Sequence, residues 1–524
     1  MTLGQAIHTL RCDAKLSQEQ FAVLFGVSQQ SVQKWETGEA TPALAKIIMI
    51  AKHFGVSLDA LVLGHDQRVV EELKGTEKIK PQYENIHDWE FYSSNLPTEL
   101  QQSLEEGLDV EGYSDLFAAV ARLPKNETKK RLGDILFDIV SQAPLKEGYS
   151  FVEPSDLASI VALCKGHSYK KHQNKTKESQ IKGAWYGRIA GCMLGKTVEG
   201  IRTNELVPFL KETGNYPMYR YILKSDLREE MLKKYTYGFS SRDYADEIDG
   251  MPVDDDTNYM VLYQELIEKY GKDFTPFDVS RVWLALQGKD AYCTAERVAF
   301  CNFVKGYAPP ESAKYKNPYR EWIGAQIRAD YFGYINPGNP ALAAEMAWRD
   351  ASISHIKNGI YGEMWVAGML AVAAETNDIM DILLGGMGQI PYTSRLYSSL
   401  EKVIDFYKSG KTQEECFSEI HKDYDEYTAH GWCHTISNAM IVAAALLYGK
   451  GDFGKSICMA VETGFDTDCN GATVGSVLGM AFGFEGIPAE WTKPLSDKLN
   501  TSIFGVDTVK ISDRVAMTLK HMGA

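Results

Sequence analysis

The chain has 524 residues, is 44% hydrophobic and 24% charged, and carries a formal net charge of −15. That is the composition of a folded protein of two or three domains, and its acidity excludes non-specific coating of nucleic acid. Nine cysteines without a CxxC pair argue against a zinc ribbon or disulfide framework, and the longest apolar run, Met364 to Ala374, is too short to span a bilayer.

The N-terminus shows no basic-then-apolar leader, so a cytoplasmic protein without membrane contact is expected. Residues 1–66 then read as a small helical domain. Ser17 is a good N-cap and Gln20 stands at the capping-box position. Gly26-Val27 makes a tight turn. Ser28 opens a second helix, Gln29 to Glu36, which stops at Gly38. Leu44, Ile47, Ile48 and Ala51 continue with helical spacing. The stretch resembles the Cro-repressor-type (XRE) helix-turn-helix family, including Trp35-Glu36-x-Gly38 and the later Pro42. The resemblance implies that Gln29, Gln30 and Gln33 read adenine edges through their amides and that Lys34 meets phosphate. The five basic and five acidic residues of positions 1–64 balance, so the electrostatic footprint is weak. Protein contact is the alternative role, and DNA binding implies a homodimer.

Residues 67–178 read as a helical connector punctuated by prolines, with helical spacing at Leu116, Phe117 and Val120 and again at Leu132, Ile135, Leu136 and Ile139. The basic run from Lys165 to Lys177 reads as a solvated linker.

Residues 179–524 read as one all-α domain. Two segments carry glycine at every fourth position, Gly183, Gly187, Gly191, Gly195 and Gly471, Gly475, Gly479, Gly483. Each set shares a helix face, and because glycine costs a helix about 1 kcal/mol against alanine, close backbone packing must offset it. Two acidic clusters open helical runs. One is Asp254-Asp255-Asp256-Thr257; the other is Gly464-Phe465-Asp466-Thr467-Asp468-Cys469. A single Asp suits a helix N-terminus as a cap, but five exceed what capping needs. Carboxylates in that density call for hard divalent cations, Mg²⁺ or Mn²⁺. The polar run from Lys316 to Asp330 reads as a solvated helix face or a pocket wall. His434 and Asn438, at i and i+4, read as structural.

The two acidic motifs, the glycine helix ending in Glu199, and Arg349-Asp350-Ala351-Ser352-Ile353-Ser354-His355 occur in the order found in the ADP-ribosylglycohydrolases. The chain resembles that family from about 179 to 490. The resemblance implies a compact multi-helix domain that cleaves the C1″ bond between ADP-ribose and an acceptor with two Mg²⁺ ions, Mn²⁺ being possible. It places Asp254, Asp255, Asp256, Asp466, Asp468 and Cys469 at the metals. Glu199, Asp255 and Asp256 become the catalytic candidates, and Glu199, His355, Asn336 and Gly464 the substrate contacts. Two departures stand out, Asp254 and Cys469, each where the family favours a hydroxyl; an extra carboxylate should tighten a hard cation and a thiol should not. The fusion suggests a bacterial or phage-related hydrolase tied to DNA. The rival is a non-catalytic regulator that senses an ADP-ribosyl ligand.

Overall fold

The computed structural model describes residues 2–63, 80–172 and 175–523. They form two compact units. The smaller takes in the chain up to His87 together with Asp109–Ala143; the larger takes in Asp88–Leu108 and Pro144–Ala524. Among the described residues the structure is helical apart from two three-residue strands, Lys498–Asn500 and Thr508–Lys510, paired antiparallel with Leu499 opposite Val509. No helix among them is long and apolar enough to cross a membrane.

Five helices open the small unit: α1 (Leu3–Asp13), α2 (Gln18–Phe25), α3 (Gln29–Thr37), α4 (Leu44–Phe54) and α5 (Leu58–Leu63). Ser17 and Gln20 form the expected capping box, and Gly26 ends α2 in the left-handed region, where glycine pays no Cβ penalty. Ile7, Phe21, Phe25, Val32, Trp35 and Ile50 bury themselves as one core. Glu36 is pinned under α1 by Arg11, 2.5 Å away, and by Gln18 at 2.8 Å. Burial opposes the Glu36 charge, but hydrogen bonds from Arg11, Gln18 and His8 prevail and hold the carboxyl below its ordinary range. Farther along, Asn126 caps the Glu127–Gln142 helix, which buries Leu136 and Val140.

The large unit is built on the two glycine helices, Lys177–Lys196 and Thr467–Phe482. They run antiparallel in direct backbone contact. A Cβ on Gly183, Gly187 or Gly191 would overlap the carbonyl oxygen of Gly479, Gly475 or Gly471 respectively. Gly483 lies one residue past its helix, at φ 73°, as the cap. No other residue type permits this approach without moving one helix.

The segment from 88 to 108 belongs to this unit, although the sequence reading placed it in the connector and began the large domain at 179. Its helix, Leu96–Glu105, lays Glu99 and Gln102 into the interior, and the C-cap Glu106 follows them. Arg320 pairs with Glu99 at 2.7 Å and Glu106 at 2.6 Å, and Lys357 reaches Glu106 at 2.8 Å. Gln102 donates to Glu321, which pairs with Arg395 at 2.7 Å. The run from Lys316 to Asp330 is therefore no solvated helix face. It is a turn-rich, buried stretch, and its charges go inside because partners from distant segments meet them.

Candidate functional site

The glycine register decides which helix ends meet. Gly195 faces Thr467 and Asp468, and the Thr467 hydroxyl donates to the Gly195 carbonyl at 2.9 Å. Lys196 and, one turn on, Glu199 thus leave the first helix beside the start of the second. The third contributor is the Asp255–Tyr270 helix, with Asp254 as its N-cap. It is held by Arg188, two turns before Gly195. The Arg188 guanidinium donates to the Asp256 carbonyl at 3.0 Å, pairs with the Asp256 carboxylate at 2.9 Å, and pairs with Asp330 at 2.8 Å.

Asp466 arrives on a bent loop. Gly464 has φ 78° and Phe465, wholly buried, has φ 59°. The left-handed region is uncommon for phenylalanine and persists only where the surroundings enforce it. Asn438 is one such enforcer: its Oδ1 accepts the Asp466 amide at 3.2 Å and the Asn470 side chain at 2.8 Å. The structural role expected of Asn438 is thus the one it plays. A Cβ on Gly464 would meet the carboxylate of Glu426, and the φ of 78° favours glycine there in any case.

Carboxylate oxygens of Asp254, Asp255, Asp256 and Asp468 lie within 4.8 Å of one another. Cys469 joins Asp256 and Asp468 within the same limit, and Cys192 joins Asp254 and Asp256. One oxygen of Asp256 and one of Asp468 are buried without a hydrogen-bond partner. Burial first, then the neighbouring carboxylates, push Asp255 and Asp468 well above the ordinary range; burial also raises Asp256, against the pull of Arg188, and Asp466. Glu199, its side chain 39% exposed, is pushed up to about 7 by desolvation and by the charges of Asp466 and Asp254. Arg242 stands 4.0 Å from it. Buried oxygen donors that converge, repel and lack partners fit a hard divalent cation.

The other residues singled out by sequence lie as follows. Both oxygens of Asp254 are already engaged, one by the Asp256 amide at 3.0 Å and one by the Lys196 ammonium at 3.1 Å. The Cys469 thiol is buried and pushed far up by desolvation and the surrounding acids. His355 is fully buried, with Nδ1 2.8 Å from the Ser354 hydroxyl. Asn336 spends its amide on the Phe332 carbonyl and Met346 sulfur. Gln29, Gln30, Gln33 and Lys34 all face solvent on α3, while Val32 and Trp35 face inward.

Sequence reasoning missed Lys196, Arg188 and Asp330. A signal existed for the first two: both are charged positions on a helix whose glycine face demands burial. It also missed a cluster of His430, His434 and Glu105, whose ligand atoms converge as metal donors do. Hydrogen bonding decides against that role. The Trp322 indole N–H donates to Nδ1 of His430 and the Ile436 amide to Nδ1 of His434, each at 3.1 Å. Both rings therefore carry their proton on Nε2, which faces Glu105 at 3.0 and 3.7 Å. The cluster clasps the end of the Leu96–Glu105 helix.

Residues 173–521, more than half of the chain, match the family model described as ADP-ribosylglycohydrolase, and residues 7–61 match one described as Helix-turn-helix. The chain is similar to the HTH-type transcriptional activator BcrR of Enterococcus faecalis, at 30% identity over 87 residues, 17% of this chain and 43% of that protein. It thus spans less than half the length of this curated relative. Among solved structures it is similar to an ADP-ribosylglycohydrolase-related protein complex, with a TM-score of 0.42 and 16% identity, covering 66% of this chain and 98% of that one. The family match establishes that the chain belongs to the ADP-ribosylglycohydrolases.

Proposed function

We propose that this ADP-ribosylglycohydrolase family member hydrolyses the C1″ glycosidic bond joining ADP-ribose to an acceptor, whether a protein side chain, a nucleobase or a small molecule, and that its helix-turn-helix brings it to DNA. One observation carries the hydrolase reading: buried carboxylates from two helix N-termini converge with oxygens left partnerless. Asp255, Asp256, Asp466 and Asp468 are the residues to hold Mg²⁺ or Mn²⁺, with Asp254 and Cys469 at the margin. A cation bound there orients ribose hydroxyls and water and stabilises developing negative charge.

The remaining work falls to side chains. Glu199 stands partly exposed beside the centre; desolvation and the charges of Asp466 and Asp254 raise its carboxyl to about 7, and a cation on those acids would draw it back toward the carboxylate form that accepts a proton. As the carboxylate it stabilises the oxocarbenium-like carbon and takes the proton of the attacking water; the C1″–acceptor bond breaks, water oxygen bonds to C1″, and the departing acceptor takes up a proton from solvent, which the Glu199 carboxyl returns as it regains its charge. Arg188 and Asn438 keep Asp256 and Asp466 in place through the bonds described above.

For the N-terminal unit, the solvent-facing row Gln29, Gln30, Gln33 and Lys34 supports major-groove readout, with two copies of the chain binding a two-fold site. Similarity of this region to a transcriptional activator favours a second reading, a regulator that binds ADP-ribose without cleaving it.

The test is release of free ADP-ribose from ADP-ribosyl-arginine and other linkages, with Mg²⁺ or with EDTA, beside Asp466→Asn. Release that requires both metal and Asp466 supports the hydrolase. Metal-dependent binding of ADP-ribose with no release on any linkage selects the regulator. For DNA, enrichment from a random duplex library followed by Gln33→Ala should cost about 1–3 kcal/mol at one base position; no enrichment refutes DNA readout.

A further inference from the structure

The position of Lys196 bears on how many ions the centre accepts. The lysine sits at the end of the first glycine helix, and its side chain is only 18% exposed. Its ammonium lies 3.1 Å from one oxygen of Asp254, whose side chain is 3% exposed. The other oxygen of Asp254 accepts the Asp256 amide. The charge of Lys196 also acts on Asp468 and on Glu199. An ammonium fixed on Asp254 supplies part of the positive charge that a metal ion on that carboxylate would bring. The partnerless oxygens lie on Asp256 and Asp468, and Asp255 converges with both.

We infer that Lys196 is a built-in cation that fills one of the two positive positions of the acidic centre, so that the chain binds a single divalent ion, held by Asp255, Asp256, Asp466 and Asp468. The inference rests on the metal reading given above and narrows it. A divalent ion on Asp254 would sit a few ångströms from a fixed positive charge in a site shielded from water, where repulsion is strong. The carboxylate at position 254 and the lysine at position 196 then explain each other: the acid anchors the lysine, and the lysine removes the acid from the donor set. Asp254 therefore does not tighten metal binding, contrary to what its carboxylate suggested in the sequence.

The experiment counts ions. The full-length chain is dialysed against Mn²⁺, bound metal per chain is measured by plasma mass spectrometry, and the electron paramagnetic resonance spectrum is recorded. The wild type is expected to hold one ion with the spectrum of an isolated Mn²⁺. Lys196→Met frees Asp254 and should take up a second ion, with the line broadening of a coupled pair. Lys196→Arg keeps a charge there and should stay at one. In Lys196→Met/Asp254→Asn both charges are gone and the count should return to one. Two ions in the wild type, or one in a folded Lys196→Met, overturns the inference. If Lys196→Met does not fold, the wild-type count and spectrum decide alone. No ion in the wild type overturns the metal reading with it. One ion with no hydrolysis leaves this inference standing and breaks only the catalytic reading.

Discussion

Two regions of the large unit bury carboxylates to nearly the same depth, with opposite outcomes. Around Arg320, each buried acid finds a partner: Glu99 and Glu106 meet Arg320 and Lys357, and Glu321 meets Arg395. Around Asp256 the acids outnumber the cations, and oxygens of Asp256 and Asp468 are left without a donor. The physical cost of burying charge is the same in both places. Where it is met internally, the cluster holds the fold together. Where it is not, the protein keeps an unmet demand for positive charge, and a site results.

The contrast can be broken most severely by deleting the segment that carries the Leu96–Glu105 helix. A fragment starting at residue 179 lacks Glu99 and Glu106 and leaves Arg320 buried without its partners. It should show no cooperative thermal unfolding by circular dichroism, whereas a fragment starting at residue 80 should unfold cooperatively. Arg320→Ala applies the same logic to one side chain. Removing one partner of a buried pair costs about 3–5 kcal/mol, read as a shift of the urea midpoint.

The acidic centre should respond in the opposite sense. Asp468→Asn removes a charge that its neighbours repel, so the metal-free protein should unfold at the same temperature as wild type or higher. Added Mn²⁺ at about a hundred times its dissociation constant should raise wild-type stability by about 2.7 kcal/mol and leave the variant nearly unmoved. A metal-free Asp468→Asn protein markedly less stable than wild type would show the acids to be structural in both regions.

Packing offers a smaller, sharper probe. Gly475→Ala drives a methyl into the Gly187 carbonyl and should cost about 1–3 kcal/mol, with activity falling further than stability because the same register sets Glu199 against Asp468. The smallest effect belongs to Glu105. Burial opposes its charge, but hydrogen bonds from His430 and Gln101, with His434 beside it, prevail and pull the carboxyl down to about 2, from 4.5. A depressed carboxyl contributes stability that is complete above 4.5 and is lost as pH falls through about 2. Glu105→Gln should therefore be less stable than wild type by about 1 kcal/mol at pH 7, the side chain being partly exposed. The gap should narrow below pH 4.5, as read from urea midpoints at pH 7 and pH 3.5.

Much of the fold was legible because it is encoded locally. Ser17 with Gln20 and the glycine at 26 specify helix ends within a few residues, and glycine at every fourth position specifies one face of one helix. The acidic motifs were legible for the same reason, as each is contiguous. The misreading of Lys316 to Asp330 has the converse cause. A charged segment looks solvated unless its partners are known, and those of Arg320 lie more than two hundred residues earlier, on the Leu96–Glu105 helix and just after it, while Glu321 is shared between Gln102 and Arg395. His430 and His434 were opaque in another way: only the donors at Nδ1 tell a clasp from a metal ligand, and no spacing records them.

By itself, then, the sequence determined the helical class, the N-terminal helix-turn-helix, the two glycine faces and the two acidic motifs, because each is written in spacing of seven residues or less. The tertiary structure alone decided how those pieces are charged against one another. The glycine register sets Lys196 and Glu199 beside Asp468, Arg188 takes half of Asp256, and Lys196 takes Asp254. Charge balance depends on distance through space, and residues that meet across tens or hundreds of positions leave no trace in local pattern.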